Sequence, residues 1–155
     1  MKFLPSIGVG GHCIPVDPSY LSYKAAQAGL GAKFINLANQ VNLGMPEYVA
    51  NRIETEHGIK NKTIQIAGIA YKPNVSDTRE SPALSLIQIL RSKGAQVTWH
   101  DNYVKEFNNE TSTPISSVDI AIICTAHDGV DYSPWQNTLV FDVSTATNLG
   151  WPKFL

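Results

Sequence analysis

TIQIAGIA, residues 63–70, is an apolar, largely β-branched run with no charged side chain in it. Such a run reads as a buried strand. Working outward, residues 82–93 set Leu84, Ile87 and Leu90 on one face of an amphipathic helix, and Gly94 ends it. Further strands are expected at 96–100, 118–125 and 138–143. Near-continuous apolar strands joined by helical crossovers imply a parallel sheet covered on both faces. Residues 101–117 are polar and poorly patterned, and read as loop with room for one short helix. Upstream, the pattern is helical. Tyr20, Leu21, Tyr23 and Lys24 begin a helix, which Pro18 is placed to open and Gly29 and Gly31 to stop. Ile35, Ala38, Val41 and Asn42, then Val49 and Ile53, repeat at helical spacing; Pro46 is expected to break or kink that stretch, or to open a new helix. The expectation is an α/β chain: a loop and helical region over 1–60, a linker at 58–62, and a parallel-sheet domain over 61–155.

The composition narrows the class. Hydrophobic residues make up 43% and charged residues 16%, which suits a soluble domain with a real core. The net charge is −1 with no basic run, which argues against nucleic acid and anionic membrane as partners. No apolar stretch reaches the ~20 residues of a membrane helix. The start, MKFLPSIG, is too short and interrupted for a signal peptide. Two cysteines make no disulfide framework, which points to a reducing, cytoplasmic setting. Cys124 sits inside an apolar run and reads as core. His12-Cys13 alone has no zinc spacing, so no metal is expected.

GVGGHCIPVDP, residues 8–18, carries the chemistry. It places Cys13 directly after a glycine-rich turn and four residues before Asp17. Glycines allow close approach to the main chain, and Pro15 and Pro18 fix φ. Such a loop holds a thiol in a defined position, as a nucleophile requires. A small buried cysteine in a tight loop is the plainer reading of the same residues.

Ligands of open parallel sheets bind beyond the carboxyl ends of the strands. The loop after the first strand, residues 73–81, follows Tyr71 and Lys72 and carries Asp77, Arg79 and Glu80. Lys72 and Arg79 suit phosphate or carboxylate groups, or serve local ion pairs. No G-x-G-x-x-G follows the strand, so no dinucleotide site is argued there. Asp101, at the end of the second strand, suits a ribose hydroxyl or a turn.

The cysteine loop GVGGHCIPVDPSYL resembles that of nucleotide-sugar 6-dehydrogenases, the UDP-glucose/GDP-mannose dehydrogenase family. The resemblance continues in FINLANQVNLGMPEYVANRI, residues 34–53, and GIAYKPNVSDTRESPAL, residues 68–84. It covers nearly the whole chain as the C-terminal portion of a longer enzyme, and His12 and Val16 fit the branch acting on UDP-N-acetylhexosamines. It implies a Rossmann-like UDP-binding domain preceded by a helical region that forms a homodimer. It implies NAD as cofactor, with its main site on a separate N-terminal domain. By resemblance Cys13 is the nucleophile and Asp17 assists the water and proton steps. Leu4, Pro5, Ser6, Ile7, Gly8, Val9 and Gly10 match the stretch that wraps the UDP-sugar, and Tyr71 and Lys72 match a substrate-contacting pair. Cys13, Ile14, Pro15 and Val16 match the cofactor side of the loop, and Arg79 an arginine reaching toward NAD. The implied chemistry takes the sugar C6 alcohol to a uronate through a thiohemiacetal and a thioester on Cys13.

Three departures stand out. The sequence shows no NAD fingerprint and none of the family's upstream catalytic lysine, asparagine and glutamate, so this chain alone is expected to be inactive. Ser144 occupies a position that is often basic. Ser6 replaces a usual glycine. Two rival readings remain: a non-catalytic nucleotide-sugar binding or dimerisation module, and a Cys/His hydrolase pairing Cys13 with His57, His100 or His127.

Overall fold

The computed structural model describes residues 5–147 and Trp151. Helix α1 is Cys13–Gln27 and α2 is Lys33–His57. Strand β1, Thr63–Ala67, leads through a long loop to α3, Pro82–Ser92, and β2, Gln96–His100. Two short strands follow, β3 Glu106–Phe107 and β4 Glu110–Thr111, then β5 Ile120–Ile123 and β6 Leu139–Asp142. The main sheet is parallel, in the order β2-β1-β5-β6, with Ile64 opposite both Val97 and Ile120. The α/β class with a parallel sheet is as expected.

Side chains alternate across the sheet because successive Cβ atoms point to opposite faces. Ile64, Ile66, Val97, Trp99, Ile120 and Ile122 belong to one core, with Leu86 and Leu90 of α3 and Val49, Ala50 and Ile53 of α2. Ala67, Ala121, Ile123 and Val140 belong to a second, with Tyr132 and Trp135. The crossovers differ from expectation. α3 lies between β1 and β2; irregular chain and a 3-10 turn at Ser133–Trp135 cover the other face. Gln65, fully buried in β1, pins that irregular chain. It donates to Thr113 Oγ1 and the Pro114 carbonyl and accepts from the Ser116 amide.

Four boundaries also differ. α1 begins at Cys13 and contains Pro18. Pro15 falls in its first turn, where amides have no intrahelical partner and proline costs little. α2 runs on through Pro46 as one helix. The carbonyl proline would leave without its helical donor, that of Asn42, lies beside Gly8. β1 stops at Ala67, short of residue 70. Gly68 then turns at φ +81, where a Cβ would collide with the Thr125 carbonyl. Within 101–117 there is a hairpin, β3 with β4, where a short helix had room. Among the described residues no helix is long and apolar enough to cross a membrane.

Candidate functional site

The chain leaves β1 to one side for β2 and later returns to its other side for β5. The strand order therefore reverses between β1 and β5, and a cleft opens at their carboxyl ends. The cleft measures about 160 Å³. Tyr71, Lys72 and Pro73 wall it from the β1 loop, Cys124 to Ala126 from β5, and Ser144 and Ala146 from β6. Ser6, Ile7 and Gly8 close it from the cysteine loop, and Ser81 to Ala83 from the start of α3. Among the described residues Lys72 is the only charged one in this lining. Its ammonium lies 5.4 Å from the Tyr71 ring centroid.

Backbone bonds carry the loop past β1. Gly68 donates to the His100 carbonyl at 2.8 Å. Ile69 and Ala70 donate to Asp101 Oδ2 at 2.9 and 3.1 Å, and Thr125 Oγ1 donates to the Ala70 carbonyl at 2.7 Å. Asp101 Oδ1 takes the amides of Tyr103 and Val104. Its side chain is fully buried, so the ribose role is not open to it. Burial pushes its pKa up, but the hydrogen bond from His127 and those from Val104, Tyr103 and Ala70 outweigh that and hold it at about 2.

The cysteine loop is fastened on three sides. Val9 donates to Asn42 Oδ1 at 2.8 Å, and Asn42 Nδ2 returns a bond to the Val9 carbonyl. Gly11 donates to the Arg79 carbonyl at 2.9 Å. Gly11 has φ +95, and a Cβ there would stand 2.8 Å from the Tyr71 ring. Ser6, in place of a glycine, donates its hydroxyl to the Gly8 carbonyl. Thr145, buried at φ +53, donates to the Pro5 carbonyl at 2.6 Å and ties the loop to the end of β6. A β-branched residue at such φ is strained.

Pro5, Ser6, Ile7, Gly8, Tyr71 and Lys72 thus gather around or beside one cleft, while Leu4 lies outside the described residues. Gly10 packs under Tyr71, and Val9 and Pro15 line a second depression with Asn42 and Pro82. Cys13, Ile14 and Asp17 are exposed, and Val16 half-buried, on α1 outside the main cleft. Cys13 and Asp17 stand one helical turn apart, so they share a face. Arg79 forks onto Asp77, with Nη2 to Oδ2 at 2.6 Å, and its side chain and amide hold Asp77 at about 2. The hydrogen bonds and charge of Asp77 raise the Arg79 pKa. Ser144 spends its hydroxyl on Asp142 Oδ1 at 2.6 Å and offers no charge. The hydrolase pairings do not form. His127 bonds to Asp101, His100 to Thr113 and Asn102, and the His57 ring lies against Phe141. Cys124 is buried, which drives its thiol pKa far up.

Sequence reasoning missed Asn42, Asn74 and Thr145. Asn74 at φ +63 was the most visible of them, since asparagine tolerates that region in turns.

A parallel α/β domain with a cleft at its switch point, and a glycine-bound cysteine loop laid across the cleft's edge, define a Rossmann-like class of protein. Family models locate it further. The UDP binding domain of the UDP-glucose/GDP-mannose dehydrogenase family matches residues 65–148, and that family's central domain matches residues 1–43. The chain belongs to the UDP-glucose/GDP-mannose dehydrogenase family. A UDP-N-acetyl-D-mannosamine dehydrogenase of Methanococcus maripaludis is 41% identical over 130 residues, 80% of this chain and 30% of that protein. One of Methanocaldococcus jannaschii is 35% identical, over 80% of this chain and 29% of its own length. The solved UDP-D-ManNAc dehydrogenase of Pyrococcus horikoshii superposes with a TM-score of 0.74 at 28% identity, covering 96% of this chain and 38% of that one. A UDP-glucose dehydrogenase of Pyrobaculum islandicum gives 0.78 at 27% identity, covering 89% and 35%. The chain spans about a third of the length of the relatives it matches.

Proposed function

We propose that this chain supplies the UDP-holding wall and the nucleophilic cysteine of an NAD-dependent UDP-sugar 6-dehydrogenase acting on a UDP-N-acetylhexosamine. The observation that carries this reading is the cleft in which Tyr71 and Lys72 face Ser6, Ile7 and Gly8. A ligand pocket usually encloses roughly 300–1,000 Å³. A cleft of about 160 Å³ suits one wall of a larger site. Lys72 is the group for a diphosphate, and the Tyr71 ring beside it offers a flat apolar surface.

Cys13 adds through sulfur to the sugar C6 aldehyde, forming the S–C bond of a thiohemiacetal as the carbonyl oxygen takes a proton. Loss of a hydride and a proton leaves a thioester, and water cleaves its S–C bond to release the uronate and restore the thiol. NAD, when bound, accepts the hydride in each oxidation. Asp17, one turn along the face that carries Cys13, has the carboxylate chemistry to accept the proton of that water. The guanidinium chemistry of Arg79 suits a cofactor phosphate. The UDP-N-acetyl-D-mannosamine dehydrogenases among the relatives favour the N-acetylhexosamine substrate. Two unpaired cysteines fit a cytoplasmic enzyme.

The test is titration of the chain with UDP, followed by NMR. Shifts at Tyr71, Lys72 and residues 124–126, with a Kd on the order of 1 mM (~ −4 kcal/mol), are expected. No shift there at millimolar UDP would sink the reading. The alternative, a binding module without catalysis, draws on the neutral Ser144. Fusing the chain to a relative's NAD domain separates the two, because Cys13→Ala then abolishes uronate formation only in the first case.

A further inference from the structure

We propose that His127 and Asp101 are positioning residues for the Tyr71–Lys72 wall of the cleft, acting through Asn74 and never touching the ligand. The inference rests on the proposed UDP-holding role and adds residues to which that role assigns nothing.

His127 Nδ1 accepts the backbone amide of Asn74 at 2.8 Å, and its Nε2 lies 3.0 Å from Asp101 Oδ2. An amide only donates, so Nδ1 carries no proton and Nε2–H points at the carboxylate. The Asn74 side chain closes the arrangement from outside. Its Nδ2 donates to Asp128 Oδ2 at 2.7 Å, and its Oδ1 accepts the Asp128 amide at 2.9 Å. The β1 loop is therefore held at Ala70 by Asp101 and at Asn74 by His127, on either side of Tyr71, Lys72 and Pro73.

Within that bracket the Tyr71 amide also donates to the Asp77 carbonyl at 2.9 Å. Among the described residues the Lys72 ammonium makes no salt bridge or hydrogen bond; it lies 5.4 Å from the Tyr71 ring centroid and attracts the Asp77 carboxylate from a distance. Its place follows the backbone, which the bracket sets together with the Tyr71–Asp77 bond. Asp101 and His127 are 0% and 5% exposed, so neither reaches a ligand in the cleft. The Tyr103 ring lies against the imidazole, tilted by 34° with centroids 5.0 Å apart.

The experiment compares UDP affinity and melting temperature across four variants. His127→Leu removes both ring bonds and is expected to weaken UDP binding about tenfold. His127→Gln can accept from Asn74 and donate to Asp101, and should return affinity to within about threefold of wild type. Asn74→Gly keeps the positive φ, loses the fork to Asp128, and decides the matter with His127→Gln if His127→Leu does not fold. Ile120→Val, at the far end of β5, lowers the melting temperature without changing affinity. Wild-type UDP affinity in folded His127→Leu and Asn74→Gly would overturn the inference. So would an equal loss in Ile120→Val, because affinity would then follow stability alone. A wild-type chain that shows no UDP shift overturns the proposed function itself, and this inference falls with it.

Discussion

The amide of Gly11 donates to the carbonyl of Arg79 at 2.9 Å, and this bond seats the entrance of α1 against the loop that leaves β1. Cys13 follows two residues later, as the first residue of the helix. The position of Cys13 is thus tied to the loop that carries Tyr71 and Lys72.

Gly11→Ala tests that tie. The new Cβ would stand 2.8 Å from the Tyr71 ring, at a φ of +95 that side chains rarely adopt. Strain of this kind costs roughly 1–3 kcal/mol. The expected outcome is a lower melting temperature, displaced Tyr71 signals and an altered rate of Cys13 alkylation. Unchanged alkylation and Tyr71 signals would show that Asn42 and Thr145 seat the loop without this bond.

Acid should loosen the same region. Asp101 has its pKa depressed in the fold from an ordinary 3.8 to about 2. A depressed carboxylate contributes stability that is full above its unfolded pKa and lost as pH falls through its folded one. The window is therefore about pH 4 down to about 2, and the contribution is roughly 2 kcal/mol. Asp101→Asn should flatten the decline of melting temperature across that window while lowering stability at neutral pH. A variant that declines as steeply as wild type would assign the acid sensitivity to other carboxylates.

Lys72→Ala should weaken UDP binding about tenfold, the usual scale for one charge-assisted contact. Binding by wild type should also fall as salt is raised, and binding by the variant should fall less. Equal affinity in the two proteins would move the diphosphate away from the cleft's one charged residue.

Much of this architecture is legible in the residues. The 63–70 run, the spacing of Leu84, Ile87 and Leu90, and the apolar runs after 118 and 138 report a parallel sheet with one helix on it, because burial imposes those periods. The hairpin was legible too. Asn108 and Asn109, at φ +49 and +63, are the two-residue turn that asparagine pairs favour. The start of α1 was hidden by Pro15, which normally punctuates but is tolerated in a first turn. The clasp of Asp101, His127 and Asn74 joins three loops brought together only by the order β2-β1-β5, and no local pattern encodes it. Ser144 is legible as a departure, yet only the structure shows its hydroxyl already engaged with Asp142.

Assembly is the last prediction. The helical region carries Phe34, Leu37, Val41 and Leu43 exposed, with Phe34 at 84%. α1 buries none of its residues, and Tyr20, Leu21 and Tyr23 are exposed on it. The contacts between α1 and α2 are partly polar, Ser22 with Asn36 and Asn39 with Ser19. So much exposed apolar surface is uncommon on a soluble monomer. We propose that a second copy covers the first half of α2, since two-fold pairing is the commonest closed solution. The whole stretch 34–53 cannot serve, because Val49 and Ile53 are fully buried against the chain's own core. Val41→Asp should therefore shift the molar mass measured by light scattering from dimer to monomer and leave the melt of the α/β domain near wild type. Val49→Asp should instead unfold the chain, because a carboxylate without a partner would enter the core. A wild-type monomer at high concentration would defeat the proposal. A dimer that survives Val41→Asp and Leu37→Asp together would place the contact on α1.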